Sequence, residues 1–263
     1  MDLSAIQLIS LCAVKMTAYR QFQDGTRTGC AKMSGFLWRK DGNTFLITNW
    51  HNVTGCNPVT EAPMSNFIPT HFSCEFRSQQ IDGGGSGVLS QEISIFDDED
   101  NPIWIEHPSG RLVDVVAIPL ACELPDGYQL DVINERDFEK TWQPRIGDDG
   151  FIVGYPEGIS GPNSTPIWKR GSVATEPSLN YQEQPVFLMD TIGNKGLSGS
   201  PVIGRGSGVY KKDQNGGALA LTDIIGTWEN FIGIYAGRVA EQGIGSQLGR
   251  VWKESVIEEI LSQ

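Results

Sequence analysis

The sequence predicts an all-β protein of two barrels or sandwiches, followed by one C-terminal helix. Three observations carry this. Of 263 residues, 31 are Gly and 14 are Pro, a supply of chain-reversing residues that suits many turns between short strands. The apolar runs are short and bounded by polar or turn-forming residues, as strands are. Only the last stretch of the chain changes to a helical period. At ~150 residues per domain the length allows about two domains, and it is ample for a buried core.

In chain order, residues 11–20 (LCAVKMTAYR) alternate loosely as a strand does. Gly35-Phe36-Leu37-Trp38 and Phe45-Leu46-Ile47-Thr48 flank Asp41-Gly42-Asn43, residues that tolerate left-handed backbone and so predict a hairpin. The region from Cys56 to Pro108 is less patterned. Its Gly-rich run (IDGGGSG, 81–87) and acidic run (DDED, 97–100) are expected in surface loops. Residues 111–120 (RLVDVVAIPL) predict an apolar strand interrupted by Asp114. A loop over 123–148, with Pro125, Gly127, Pro144 and Gly147, is expected to connect two β units. Strands are then predicted at 149–156, 169–176, 185–191, 200–204 and 230–239. Over 248–262, Leu248, Val251, Trp252, Val256, Ile257, Ile260 and Leu261 recur at three- and four-residue spacing, which predicts an amphipathic helix.

Composition narrows the function. The formal net charge is −12, which repels a polyanion unless a basic patch overcomes it. The basic clusters are only the pairs Arg39-Lys40, Lys169-Arg170 and Lys211-Lys212, so no nucleic-acid partner is expected. Five cysteines (Cys12, Cys30, Cys56, Cys74, Cys122) form an odd set with no C-x-x-C pair, which suits reduced, buried thiols better than a disulfide framework or a metal site. No run approaches the ~18 apolar residues that span a bilayer. The moderately apolar stretch from Leu3 to Val14 lacks a basic segment before it, a poor match to a signal peptide. A soluble, cytoplasmic protein with no metal and no cofactor is expected.

Three segments carry chemistry. In GLSGSPV (196–202), Ser198 sits among small residues between a turn and an apolar strand. Such a loop exposes a hydroxyl and aims successive N–H groups at one point, as an oxyanion hole requires. In ITNWHNVTG (47–55), His51 follows a hydrophobic strand; His71 and His107 have no comparable context. In DVVAIPL (114–120), Asp114 opens an otherwise apolar run, where a carboxylate is costly to bury without a partner such as an imidazole N–H. Each segment alone is unremarkable. Together they run His, Asp, Ser, the order of chymotrypsin-type enzymes and not that of subtilisins or α/β-hydrolases.

These segments resemble the trypsin-like serine peptidases. TNWHNVTG resembles the family's T-x-x-H segment, DVVAIPL its D-(I/V)-A-x-x-x-L strand and GLSGSPV its G-(D/N)-S-G-(G/S)-P-V loop. SGFLWRKDGNTFLITN is similar to the hairpin before the histidine in bacterial members. FIVGYPEG, KRGSVAT and FIGIYAGR are similar to strands of their second barrel. The resemblance implies two six-stranded antiparallel β-barrels of chymotrypsin type with a C-terminal helix. The first barrel would span 1–125 with His51 and Asp114, a linker 126–148, the second barrel 149–247 with Ser198, and the helix 248–263. It also implies a serine endopeptidase acting on a protein or peptide, with an oxyanion hole at Gly196 and Ser198. The substrate pocket would be walled by Ile192, Gly193, Asn194 and Lys195 and by Ile234, Tyr235, Ala236 and Gly237. Ile192 falls at the pocket base, which disfavours basic side chains; Asp190 is the nearest carboxylate.

The chain departs from secreted members in two places. Leu197 stands where they carry the Asp that receives a new N-terminus on zymogen cleavage, and Asn52 replaces the cysteine beside the histidine. Both departures fit an intracellular bacterial or phage-type branch. The chain is not expected to carry a PDZ-type domain after its terminal helix. An intracellular endopeptidase also needs restraint, so a regulatory protein partner is expected, with the 56–110 insertion as another means. Two rivals remain at this point: a binding module that kept the fold without catalysis, and an esterase.

Overall fold

Strand β1 (Ala13–Gln21) returns through residues 22–26 into β2 (Arg27–Lys40), and β2 turns at Asp41-Gly42 into β3 (Asn43–Thr48). Asp41 and Gly42 take φ of 49° and 79°, the left-handed geometry their residue types favour. This computed structural model describes residues 7–81, 86–122, 124–140, 142–210, 224–240 and 242–263. The middle of the Gly-rich run, the Lys211-Lys212 pair and residues 3–6 of the apolar N-terminal stretch lie outside the described residues.

A short helix, α1 (Trp50–Thr54), follows β3 and stops at Gly55, whose φ of 70° lets its N–H reach the His51 carbonyl at 3.0 Å. The sheet is completed by β4 (His71–Gln80), β5 (Ser86–Ser94), β6 (Ile105–Glu106), β7 (Val116–Pro119) and β8 (Tyr128–Leu130). Its order is β5-β4-β1-β2-β3-β7-β6, with β8 beside β4. The second half consists of β9 (Asp149–Gly154), β10 (Ile167–Val173), β11 (Val186–Asp190), β12 (Pro201–Tyr210), β13 (Ile224–Arg238) and β14 (Leu248–Trp252). These six close a barrel in the order β10-β11-β14-β13-β12-β9. Helix α2 (Ser255–Leu261) ends the fold.

The all-β, chymotrypsin-like architecture is the one the sequence predicts, with four corrections. Among the described residues the N-terminal half is an eight-stranded sheet in place of the expected six-stranded barrel. Two of the strands, β4 and β5, form a hairpin inside the weakly patterned 56–110 region. There Phe72, Cys74 and Phe76 point inward on alternate residues, a period-two signal overshadowed by the Gly-rich and acidic runs that follow. The expected linker 126–148 begins with β8, which pairs with Ser78–Gln80 of β4. Residues 248–252 are strand, not helix: β14 pairs with β11 and β13 and closes the barrel. Spacing over five residues cannot separate the two periods, and barrel closure decides. Finally, the 111–120 strand is shorter, and Asp114 lies between a 3-10 turn (Gly110–Leu112) and β7.

Three cores stack through the molecule. Val14, Met16, Leu37, Leu46, Phe72, Val116 and Ile118 fill the N-terminal half. Ile152, Phe187, Met189, Leu197, Val202, Tyr235 and Val251 fill the second barrel. Between them Phe36, Trp38, Ile47, Val115, Ala117, Val153, Leu188, Ile203, Ile234 and Trp252 form a shared seam. Strands β2, β3 and β7 are therefore buried on both faces, which is why they read as continuous apolar runs. Helix α2 adds Val256, Ile257 and Ile260 to the seam. All five cysteines are unpaired. Among the described residues no helix is long and apolar enough to cross a membrane.

Because Ile257 is fully buried in that seam, Ile257→Ala is expected to cost about 2–5 kcal/mol by removing contacts and leaving a cavity. Chemical denaturation measures this, and a loss below about 0.5 kcal/mol, the scale of a surface change, would mean that α2 does not close the core.

Candidate active site

The site begins where β3 ends. Asn49 is extended, and its Nδ2 donates to the Asp114 carbonyl at 2.7 Å. That bond ties the start of α1 to the turn before β7. The next turn of chain presents His51 to the Asp114 carboxylate twice. Its backbone N–H donates to Oδ1 at 3.0 Å, and its Nδ1 lies 2.8 Å from Oδ2. An ionised carboxylate only accepts, so Nδ1 carries the proton in this pair. The Nε2 lone pair is then left to accept another. The Asp114 residue is 5% exposed, and the two donors from His51 offset the cost of burying its charge.

Ser198 lies on the loop between β11 and β12. Gly196 and Gly199 take φ of 89° and 85°, which bends the chain on both sides of the serine. Ser200 N–H bonds the Leu197 carbonyl at 3.0 Å, and Gly199 N–H bonds the Tyr235 carbonyl at 2.9 Å. Leu197, the departure from secreted members, is fully buried inside the second barrel. It therefore anchors the loop by apolar burial. The N–H groups of Gly196 and Ser198 donate to no acceptor among the described residues.

The two half-sites meet through backbone. The Ser198 carbonyl accepts from the Ser34 N–H at 3.0 Å and from Asn52 Nδ2 at 3.2 Å. Asn52 Nδ2 also donates to Thr48 Oγ1 at 2.9 Å. The residue after His51 is thus clasped to the residue that carries the candidate nucleophile. A Cβ on Gly199 would lie 2.2 Å from the Ser34 carbonyl oxygen and 2.4 Å from Thr48 Oγ1, so only glycine allows this approach. Sequence reading noted Asn52 only as a missing cysteine and passed over Ser34 and Thr48. The available signal was a small polar residue next to glycine in the middle of an apolar strand.

The other histidines are occupied elsewhere. His71 stacks on Tyr19 with ring centroids 5.6 Å apart and bonds Thr70 Oγ1 at 2.9 Å. His107 Nδ1 accepts from the Ser109 N–H at 3.0 Å and its Nε2 meets Glu259 at 2.8 Å, so both ring nitrogens are engaged. In the acidic run, Asp97 is exposed and accepts from the Glu99 and Asn101 N–H groups. Those bonds, led by the ones from Asn101, hold its carboxyl below the usual range. Among the described residues no three His, Cys, Asp or Glu side chains gather as a metal ion would need.

The two expected pocket walls meet at Tyr235. Gly193 approaches Tyr235, whose Oη lies 2.0 Å from the point where a Cβ on Gly193 would be. Asn194 and Lys195 are exposed on the same loop, Ala236 and Gly237 are half-buried, and Ile234 belongs to the seam. Ile192 is 64% exposed and borders a shallow depression with Lys169, Arg170 and Asp190. Residues alternate faces along an extended strand, so Met189 and Thr191 are buried and Asp190 and Ile192 exposed.

A family model described as "trypsin-like peptidase domain" matches residues 33–209. No match to this chain is found among curated proteins. Among solved structures, the chain is similar to a variant of the HtrA-type protease AlgW with a tripeptide, at 12% identity and a TM-score of 0.52. The match covers 96% of this chain and 60% of that one, and it shows the fold. This chain therefore spans less than two thirds of that protein's length.

Asn52→Ala removes one donor from the Ser198 carbonyl and leaves Thr48 Oγ1 without its incoming bond. A loss of about 1–3 kcal/mol is expected, read from the denaturant midpoint. An unchanged midpoint would show that the clasp adds nothing to stability.

Proposed function

The chain belongs to the family of trypsin-like peptidase domains, and from that premise we propose that it is a serine endopeptidase whose triad is Ser198, His51 and Asp114. One observation carries the reading: the Asp114 carboxylate receives both the backbone N–H and Nδ1 of His51, at 3.0 and 2.8 Å. The backbone N–H bond fixes the carboxylate, and the Nδ1 bond to that fixed carboxylate sets the tautomer and direction of the ring.

In this reading His51 Nε2 takes the Ser198 hydroxyl proton as Oγ attacks the peptide carbonyl. The N–H groups of Gly196 and Ser198 receive the developing oxyanion. The C–N bond then breaks as His51 returns the proton to the leaving amine, and an acyl-enzyme remains. Water repeats the cycle to release the acid. The substrate is a protein or peptide. The setting is a reducing, cytoplasmic compartment of a bacterial type, supported by the odd cysteine count and by five cysteines that are all unpaired. An endopeptidase in that setting calls for restraint, so a regulatory protein partner is part of the reading.

Ser198→Ala should keep the fold and lower kcat by on the order of 10⁶, with loss of labelling by a fluorophosphonate probe. Retention of activity within tenfold of wild type would remove Ser198 from the mechanism, and a wild type that neither labels nor cleaves would favour a binding module. Comparing peptide with short-chain ester turnover separates the esterase reading.

Asp114→Asn presents an amide to the imidazole and favours the wrong tautomer, so kcat should fall about 10⁴-fold, the magnitude of the chymotrypsin-type template. Replacing Asp97, Asp98 and Asp100 together should change kcat less than tenfold, because hydrated loop charges are screened. A silent Asp114→Asn beside an inactive loop variant would place the carboxylate elsewhere.

A further inference from the structure

Tyr235 connects the nucleophile loop to the far wall of the expected pocket. Its backbone braces the loop from below: its N–H donates to the Ser200 carbonyl and its carbonyl accepts from Gly199, both at 2.9 Å. Its side chain is 1% exposed and turns into the second barrel. The ring lies against Gly249, where an added Cβ would meet its Cε2 at 2.6 Å. The hydroxyl ends under Gly193, and Cγ of Arg238 lies 2.9 Å from the same Cβ position. The phenol therefore crosses from strand β13 to the loop at 192–195. These are the two walls between which a substrate side chain would enter.

A second observation points to a ligand. Tyr235 Oη is buried with no hydrogen-bond partner among the described residues. Such a hydroxyl forfeits about 1–3 kcal/mol unless something bonds it. Burial also pushes its acidity to about 12, so it remains a protonated donor at neutral pH.

Resting on the serine endopeptidase reading, we propose that Tyr235 is the residue that sets cleavage specificity, closing the pocket to all but a small side chain on the acyl side of the scissile bond. On this proposal alanine is accepted, serine is accepted with its hydroxyl taking a hydrogen bond from Oη, and leucine, phenylalanine and arginine are excluded by the ring. Gly193 belongs to the same device, since any side chain there would strike the phenol.

The test is kcat/KM on peptides that differ only in that residue (Ala, Ser, Leu, Phe, Arg), for wild type, Tyr235→Phe and Tyr235→Ala, with Ser198→Ala as the blank. Wild type should favour Ala and Ser over Leu and Phe by at least about tenfold, the scale on which pockets discriminate by size. Tyr235→Phe keeps the ring and should keep the preference for Ala over Leu while losing part of the advantage of Ser. Tyr235→Ala should raise the Leu/Ala ratio at least about tenfold. If Tyr235→Ala fails to fold, the wild-type and Tyr235→Phe profiles still decide. Cleavage that depends on Ser198 but is as fast after Leu or Phe as after Ala overturns the role of Tyr235 and leaves the peptidase reading standing. Absence of any Ser198-dependent cleavage overturns both.

Discussion

Ser34 uses every polar atom it has, and three of its four hydrogen bonds cross between the two halves of the molecule. Its N–H donates to the Ser198 carbonyl at 3.0 Å and its carbonyl accepts from Thr48 Oγ1 at 3.0 Å. Its hydroxyl donates to the Gly196 carbonyl at 2.8 Å and accepts from the Tyr155 N–H at 2.9 Å. The residue is fully buried. Each bond is worth only about 0.5–1.5 kcal/mol net, but a buried group left unpaired costs more than its bond contributed. The four are therefore mutually enforcing. They place the nucleophile loop against the strand that leads into α1, which fixes where Ser198 sits relative to His51.

Such close contact between halves needs small residues on both sides. A Cβ on Gly154 would lie 2.0 Å from Ser200 Oγ and 2.8 Å from Ser34 Oγ, and Gly199 faces the Ser34 carbonyl as closely. Around this polar centre the seam is apolar, built from Phe36, Ile47, Val153, Ile203 and Trp252. Hydrophobic burial drives the halves together without direction. The hydrogen bonds of Ser34 and Asn52 supply the register that burial cannot.

What was legible in the sequence follows from which interactions are local. The hairpin of β2 and β3 could be read because Asp41 and Gly42 announce their turn and the flanking runs are short. The triad segments could be read because each keeps its residue types within a few positions of one another. The hairpin of β4 and β5 was obscured because the alternating set Phe72, Cys74 and Phe76 is short and lies in a stretch whose Gly-rich and acidic runs look like a loop. β14 was misread because Leu248, Val251 and Trp252 satisfy a helical spacing, while the pairing with β11 and β13 that makes them a strand lies far away in sequence. Ser34, Thr48 and Asn52 carry no motif at all, since their partners are distant in sequence and only the fold reveals them.

The end of the described chain is bonded into the same arrangement. Glu106 in β6 accepts from the indole N–H of Trp50 at 2.8 Å and of Trp104 at 3.1 Å. Trp50 immediately precedes His51, so this carboxylate braces α1 from the side opposite Asp114's turn. The same strand is strapped from the other direction: Gln263 Nε2 donates to the Glu106 carbonyl at 2.7 Å, and Glu259 of α2 meets His107 at 2.8 Å. β6 in turn pairs with β7, two residues past Asp114. Histidine and carboxylate are thus set by different elements, α1 and the turn before β7, and both elements are fastened to β6. A rigid pair assembled from two elements requires a third that touches both. Here that element is a two-residue strand, which by itself has too few bonds to persist and depends on α2 to keep its place.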